Sequence, residues 1–193
     1  QRASAEKKVR QFLLQSASRA VPAAALAPVP AAALATPVSA AARDACEQLA
    51  AGATELHLQY KQLDDNDVRA LADLLKSNTS LQLLDLSGNK MGPHGALAFA
   101  DALKSNTSLE SFFLDDNAVG NDGAVALADA LKANSTLCWL DVGQNNVGDD
   151  GARALAGALE TNTTLTSLGL SGNNVGNVGA RALADALKNN LSL

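Results

Sequence analysis

Two histidines, His57 and His94, and two cysteines, Cys46 and Cys138, are the side chains whose types suit acid–base work, nucleophilic attack or soft-metal ligation. Their spacing withholds that chemistry. No His/Cys pair has the separation of a zinc site. His57 gains a partner only if Asp85, 28 residues on, stands one strand away. A His/Asp pair without a positioned nucleophile and oxyanion donors is ordinarily a surface ion pair. The carboxylates of Asp85 and Asp141 would stand two strands apart, about 9–10 Å at ordinary strand spacing, which is too far to share a metal. The sequence therefore predicts no enzyme, no metal and no cofactor. The widely separated cysteines make no disulfide framework and fit a reducing, cytoplasmic setting, with Cys46 as a small core residue.

A repeat sets those spacings. The strings LQLLDLSGNKMG, LESFFLDDNAVG, LCWLDVGQNNVG and LTSLGLSGNNVG begin at Leu81, Leu109, Leu137 and Leu165, each 28 residues after the last. Within one copy, Leu84-Asp85-Leu86 alternates apolar and polar as a half-buried strand does, and Leu81, Leu84 and Leu86 are expected inside. Asn89, Asn117, Asn145 and Asn173 follow the strands at a bend whose backbone groups still need partners, and an amide side chain both donates and accepts there. Stacked one per repeat, they predict a buried asparagine ladder. Gly92, Gly120, Gly148 and Gly176 mark the turn into a helix, with Asn121, Asp149 and Asn177 as expected N-caps and Pro93 in the first helical turn. Ala124, Leu127, Ala128 and Leu131 recur at helical spacing and form one buried stripe. The outer helix face carries Asp73 with Lys76, Asp101 with Lys104, Asp129 with Lys132 and Asp185 with Lys188, solvated pairs with no assigned role.

Composition fits a stack of thin layers. Hydrophobic residues are 47%, charged residues 18% and aromatics 3% of the 193, so the core is Leu, Ala and Val. A net charge of −5 gives no reason to approach nucleic acid or an anionic membrane and favours a partner with a basic surface. No apolar run nears the ~18 residues of a membrane span. Residues 1–16 read as an N-terminal stub that could form a short amphipathic helix, and 17–38 as an Ala/Pro-rich linker. Residues 39–193 form the repeat domain: a capping helix at 39–52, a degenerate first repeat at 53–80 with Lys61 and Asp64 at the Asn and Gly positions, then four full repeats at 81–192. The sequence starts without methionine and stops at Leu193, the first position of a further unit, so it reads as an excerpt. Leu165, Leu168, Leu170, Leu183 and Leu187 are expected to lie open along its last edge and to promote self-association, which sedimentation would register.

The pattern L-x-x-L-x-L-x-x-N-x-V-G followed by G-A-x-A-L-A-x-A-L-K-x-N resembles the ribonuclease-inhibitor subfamily of leucine-rich repeats from Ala53 to Leu193. NOD-like receptor sensor arms, tropomodulin-like actin regulators and the Ran GTPase-activating protein share it. The resemblance implies an α/β solenoid, a horseshoe of 28-residue repeats with parallel strands on the concave face and helices on the convex face. It also implies a protein-binding module. This sequence lacks the inhibitor's two alternating repeat types and its abundant cysteines, which speaks against a ribonuclease as partner.

In such a solenoid the residues between the buried strand leucines face the concave side. One column runs Glu55, Leu83, Ser111, Trp139, Ser167, the next His57, Asp85, Phe113, Asp141, Gly169, and a third Gln59, Ser87, Asp115, Gly143, Ser171. Leu83, Phe113 and Trp139 are thus expected to form one exposed apolar cluster flanked by Asp85, Asp115 and Asp141, the candidate partner-binding site. Regulation of a small GTPase is the alternative, but Arg69, Arg153 and Arg181 fall on helices facing outward, where none can act as an arginine finger. Five N-x-S/T sequons, at Asn78, Asn106, Asn134, Asn162 and Asn190, follow from the repeat. Each is read as a left-handed helix cap and not as a glycan site.

Overall fold

The computed structural model describes residues 38–193; the expected stub and nearly all of the expected linker lie outside them. Helix α1 (Ala40–Ala50) is followed by β1 (Glu55–His57), α2 (Asp65–Leu75), β2 (Leu83–Asp85), α3 (Pro93–Leu103) and β3 (Ser111–Phe113). Then come α4 (Gly120–Ala133), β4 (Trp139–Asp141), α5 (Asp149–Leu159), β5 (Ser167–Gly169) and α6 (Asn177–Leu187). The strands form one parallel sheet in chain order, β1-β2-β3-β4-β5. Every register partner is 28 residues away, so Leu56, Leu84, Phe112, Leu140 and Leu168 make one row. Packed helices need about 8–10 Å each and strands about 4.8 Å, so the strand wall is the inner, concave one. This is the expected α/β solenoid. Among the described residues no helix is long and apolar enough to cross a membrane.

The core lies between the walls. Leu84, Phe112 and Leu140 at the strand centres and Ala124, Leu127, Ala128 and Leu131 on α4 are all buried, and the rings of Phe99 and Phe112 meet at 4.9 Å between centroids, joining α3 to β3. The alanines on the inner helix faces keep the layers close. The asparagine ladder forms, buried at Asn89, Asn117 and Asn145 as expected and only partly buried at Asn173. Asn117 Nδ2 donates to Leu86 O and Leu114 O at 3.0 Å, while its Oδ1 accepts from Met91 N–H at 3.0 Å in the preceding unit. Asn145 repeats the pattern on Leu114 O and Val119 N–H, as Asn89 does on Leu58 O and Leu63 N–H. The first unit, lacking its own asparagine, has its bend held by the next one's.

A second ladder runs along the helix C-termini, where left-handed caps were expected. Asn134 is extended, φ −80° and ψ 131°, and none of the five sequon asparagines has a positive φ. Asn134 Nδ2 donates to Leu103 O at 2.8 Å and Asn106 O at 3.1 Å, and its Oδ1 accepts from Thr136 and Leu137 N–H. Asn106 and Asn162 make the same bonds one unit to either side. Each asparagine thus satisfies one carbonyl left unpaired at the end of the preceding helix and the carbonyl of the preceding asparagine in the ladder.

The helix N-termini also differ from the expectation. Gly92, Gly148 and Gly176 are the N-caps, and the polar residue after the cap position serves the neighbouring helix. Asp65 Oδ1 accepts from Gly92 and Gly95 N–H, Asn121 Oδ1 from Gly148 and Gly151 N–H, and Asp149 Oδ1 from Gly176 and Gly179 N–H. Proline at 93 has no such oxygen. At that seam α4 begins without a side-chain cap and runs for 14 residues where α3 and α5 have 11. Gly120 there adopts φ +65° and donates instead to Asn145 O at 2.9 Å.

At the first unit, Asp64 caps α2 through Asn66 and Asp67 N–H. Buried Asp67 accepts from Ser39 N–H at 2.6 Å and so ties α1 down. In the last unit Leu165 is fully buried, contrary to the expectation. Leu168, Leu170 and Leu183 are partly buried against the core, and Leu187 is 46% exposed.

Candidate protein-docking face

Strand register places the outward residues in the expected columns: Glu55, Leu83, Ser111, Trp139 and Ser167 stand side by side, as do His57, Asp85, Phe113, Asp141 and Gly169. Phe113 and Trp139 come together diagonally across β3 and β4, ring centroids 5.8 Å apart and tilted by 55°, a favourable offset geometry. Both are half-buried, as are Asp85, Asp115 and Asp141. Leu83 is not part of an exposed cluster. It is 5% exposed, and Ser111 between it and Trp139 is 3% exposed. Among the residues of these two columns, the part-exposed apolar side chains are therefore those of Phe113 and Trp139.

The carboxylates are held toward the C-terminal ends of the strands. Asp85 Oδ1 accepts from Ser87 N–H at 2.9 Å and Asp141 Oδ1 from Gly143 N–H at 2.9 Å. Asp85 also accepts from Gln59 Nε2, and Asp115 Oδ1 from Gln144 Nε2 at 3.3 Å. Gly143 is the floor between two of them: a Cβ there would stand 2.6 Å from Asp115 Oδ1 and 3.2 Å from Asp141 Oδ1. One step further along each repeat lies a row of left-handed residues that sequence reading missed. Tyr60 (φ 58°), Asp116 (φ 57°) and Gln144 (φ 49°) share it with Gly88 and Gly172. The signal was the pair of glycines, 84 residues apart, at a repeat position otherwise filled by three different residues. Tyr60 is 64% exposed.

His57 does not pair with Asp85. Its Nε2 lies 3.3 Å from Glu55 Oε2 on its own strand, while Asp85 is occupied by Gln59 and Ser87. His94 is exposed on the opposite wall, in α3. Burial, with Asp67 and Glu47 nearby, pushes the Cys46 thiol up to about 11, and burial beside Glu110 raises that of Cys138, so neither is a ready thiolate at neutral pH. Among the described residues no three His, Cys, Asp or Glu side chains are grouped to hold a metal.

Four segments, residues 77–100, 105–128, 133–156 and 161–184, match the family described as Leucine Rich repeat. The chain is a leucine-rich repeat protein. Among solved structures it is similar to one titled Leiomodin-1 Actin-Binding Site 2, at 26% identity and a TM-score of 0.61, over 72% of this chain and 80% of that one. It also resembles the tropomodulin C-terminal domain of Caenorhabditis elegans, at 14% identity and a TM-score of 0.64, over 77% of this chain and 92% of that one. The second likeness is one of fold alone. A comparison with curated proteins gave no match. In this leucine-rich repeat protein the buried rows repeat from unit to unit, and the outward columns are what distinguishes one unit from the next.

Proposed function

We propose that this leucine-rich repeat protein is a docking module that holds a partner protein against its concave strand wall, with Phe113 and Trp139 as the anchor. The observation that carries the reading is the pairing of these two rings, half-exposed, on a wall whose buried rows would be complete without them. Large aromatics set among polar groups are the side chains from which interfaces draw most of their affinity. The name of the leiomodin fragment adds support and makes actin the first partner to test.

GTPase regulation has less behind it. Arg69, Arg153 and Arg181 are exposed on α2, α5 and α6, and Arg153 is engaged with Asp150 at 2.9 Å. An arginine finger has to come from the face that meets the nucleotide.

A photo-crosslinking residue placed at Ser167 on the strand wall, or at Val125 on the helix wall, distinguishes the faces. With actin, and then with cell extract, covalent adducts should form from Ser167 and disappear in the Trp139→Ser, Phe113→Ser double variant. Adducts from Val125 alone would move the interface to the helices.

A further inference from the structure

Charge is divided unequally along the chain. Residues 1–37 hold five basic side chains and one acidic, and residues 38–193 hold ten basic and 19 acidic. Four of the five, Arg2, Lys7, Lys8 and Arg10, fall among the first ten residues, beside the apolar group Val9, Phe12 and Leu13. At helical spacing those three apolar residues share one face, with Lys8 and Arg10 at its borders. A stretch that short gains little from folding alone and needs a surface against which to lay that face. We infer, resting on the docking role proposed above, that residues 6–14 are a built-in competitor: their apolar face lies across Phe113 and Trp139, and a partner binds by displacing them.

The strand wall is the surface that fits such a segment. Its three outward columns carry Glu55, Asp85, Asp115 and Asp141 with no lysine or arginine. On the helix wall Asp73, Asp101, Asp129 and Asp185 are each paired with a lysine. Asp115 and Asp141 have partners of their own, so the attraction lies in the field of the whole wall. A field of one sign draws a segment of the other sign without any single ion pair. The half-exposed Phe113–Trp139 pair supplies the apolar contact.

A competitor in the same chain also has to reach. Ser39 N–H, bonded to Asp67 Oδ1 at 2.6 Å, fixes where the chain enters the repeat domain, close to the start of α2. Trp139 lies on β4, three strand spacings from β1 or about 14 Å. Residues 15–37, at ~3.1 Å each when extended, span up to about 70 Å. Tethered through so few residues, the segment is held at an effective concentration on the order of 1 mM, so a cis affinity of only about 0.1 mM weakens a competing partner about 10-fold.

Trp139 is the single tryptophan of the chain, so its emission reports on the contact directly. Two variants of the full chain are compared with the unaltered protein: Lys7→Glu, Lys8→Glu and Arg10→Glu combined, and Phe12→Ser with Leu13→Ser. Each should raise acrylamide quenching of Trp139 about 2-fold and actin adducts from the cross-linker at Ser167 about 10-fold. Lys132→Glu, a charge reversal on the helix wall, should change neither. Benzoylphenylalanine in place of Phe12, irradiated in dilute solution, should give a monomer-sized product linked to outward residues of β3, β4 or β5. Links to the helices, products of dimer size alone, or quenching that is the same in every variant overturns the inference. Strand-wall links in a chain whose Ser167 gives no partner adduct would keep the segment and discard the partner; Ser167 adducts that charge reversal leaves unchanged would keep the docking wall and discard the segment.

Discussion

On the helix wall the same ion pair returns with each of four helices, as Asp73–Lys76, Asp101–Lys104, Asp129–Lys132 and Asp185–Lys188, always three residues apart and exposed. On the strand wall the corresponding outward column holds glutamate, leucine, serine, tryptophan and serine in successive units. Apart from the longer α4, both walls repeat the same backbone from unit to unit, so the architecture does not demand the difference. Uniformity marks positions that serve the solenoid. Variety marks positions where the stack tolerates any side chain, and there the aromatic pair and its two carboxylates stand out.

Substitutions rank the walls and the layer between them. Phe112, fully buried at the centre of β3 and against Phe99, should lose about 3–5 kcal/mol on Phe112→Ala in chemical denaturation, from lost burial plus a cavity. Asn145, fully buried with bonds to Leu114 O, Gly143 O and Val119 N–H, should lose about 2–3 kcal/mol on Asn145→Ala, since those groups would stay dry and unpaired. The Trp139→Ser, Phe113→Ser double variant should cost about 1 kcal/mol in the same measurement, while partner adducts vanish. A large loss of stability there would make the rings part of the structure and collapse the contrast between the walls. Lys132→Ala should change stability by a few tenths of a kcal/mol, as exposed pairs do, although the bond from Lys132 and its charge hold the Asp129 carboxyl below its usual range.

The end cap responds to pH. Below the ordinary thiol value of 9.0 Cys46 is protonated whether the chain is folded or not; between there and about 11 the unfolded chain releases the proton and the folded chain keeps it. Stability is therefore fully present below pH ~9 and falls as pH rises through that window. Cys46→Ala should flatten that part of a stability–pH curve.

Rows that repeat in one dimension were legible in the sequence. Asn89, Asn117, Asn145 and Asn173 at a 28-residue spacing could hardly do anything but bond the bends of their neighbours, and the strand and helix stripes follow from periodicity. Relationships between units were harder to read. Asn121 and Asp149 look like local caps because capping rules describe one helix at a time; in the solenoid the nearest bare N–H groups belong to the next helix. Leu83 looked exposed because its column is outward, but it is buried. His57 and Asp85 are register neighbours, yet Glu55 on the same strand and Gln59 each offered a closer partner.

The second ladder has a bearing on carbohydrate chemistry. Attachment of an N-linked sugar needs the amide nitrogen of the sequon, and in Asn106, Asn134 and Asn162 that nitrogen is buried with a bond to a carbonyl of the preceding unit. A transferase could reach these nitrogens only on a nascent, uncoiled polypeptide. An oligosaccharide fixed there would stand between adjacent turns of the coil, so sugar addition and closure of the solenoid exclude each other at these three sites.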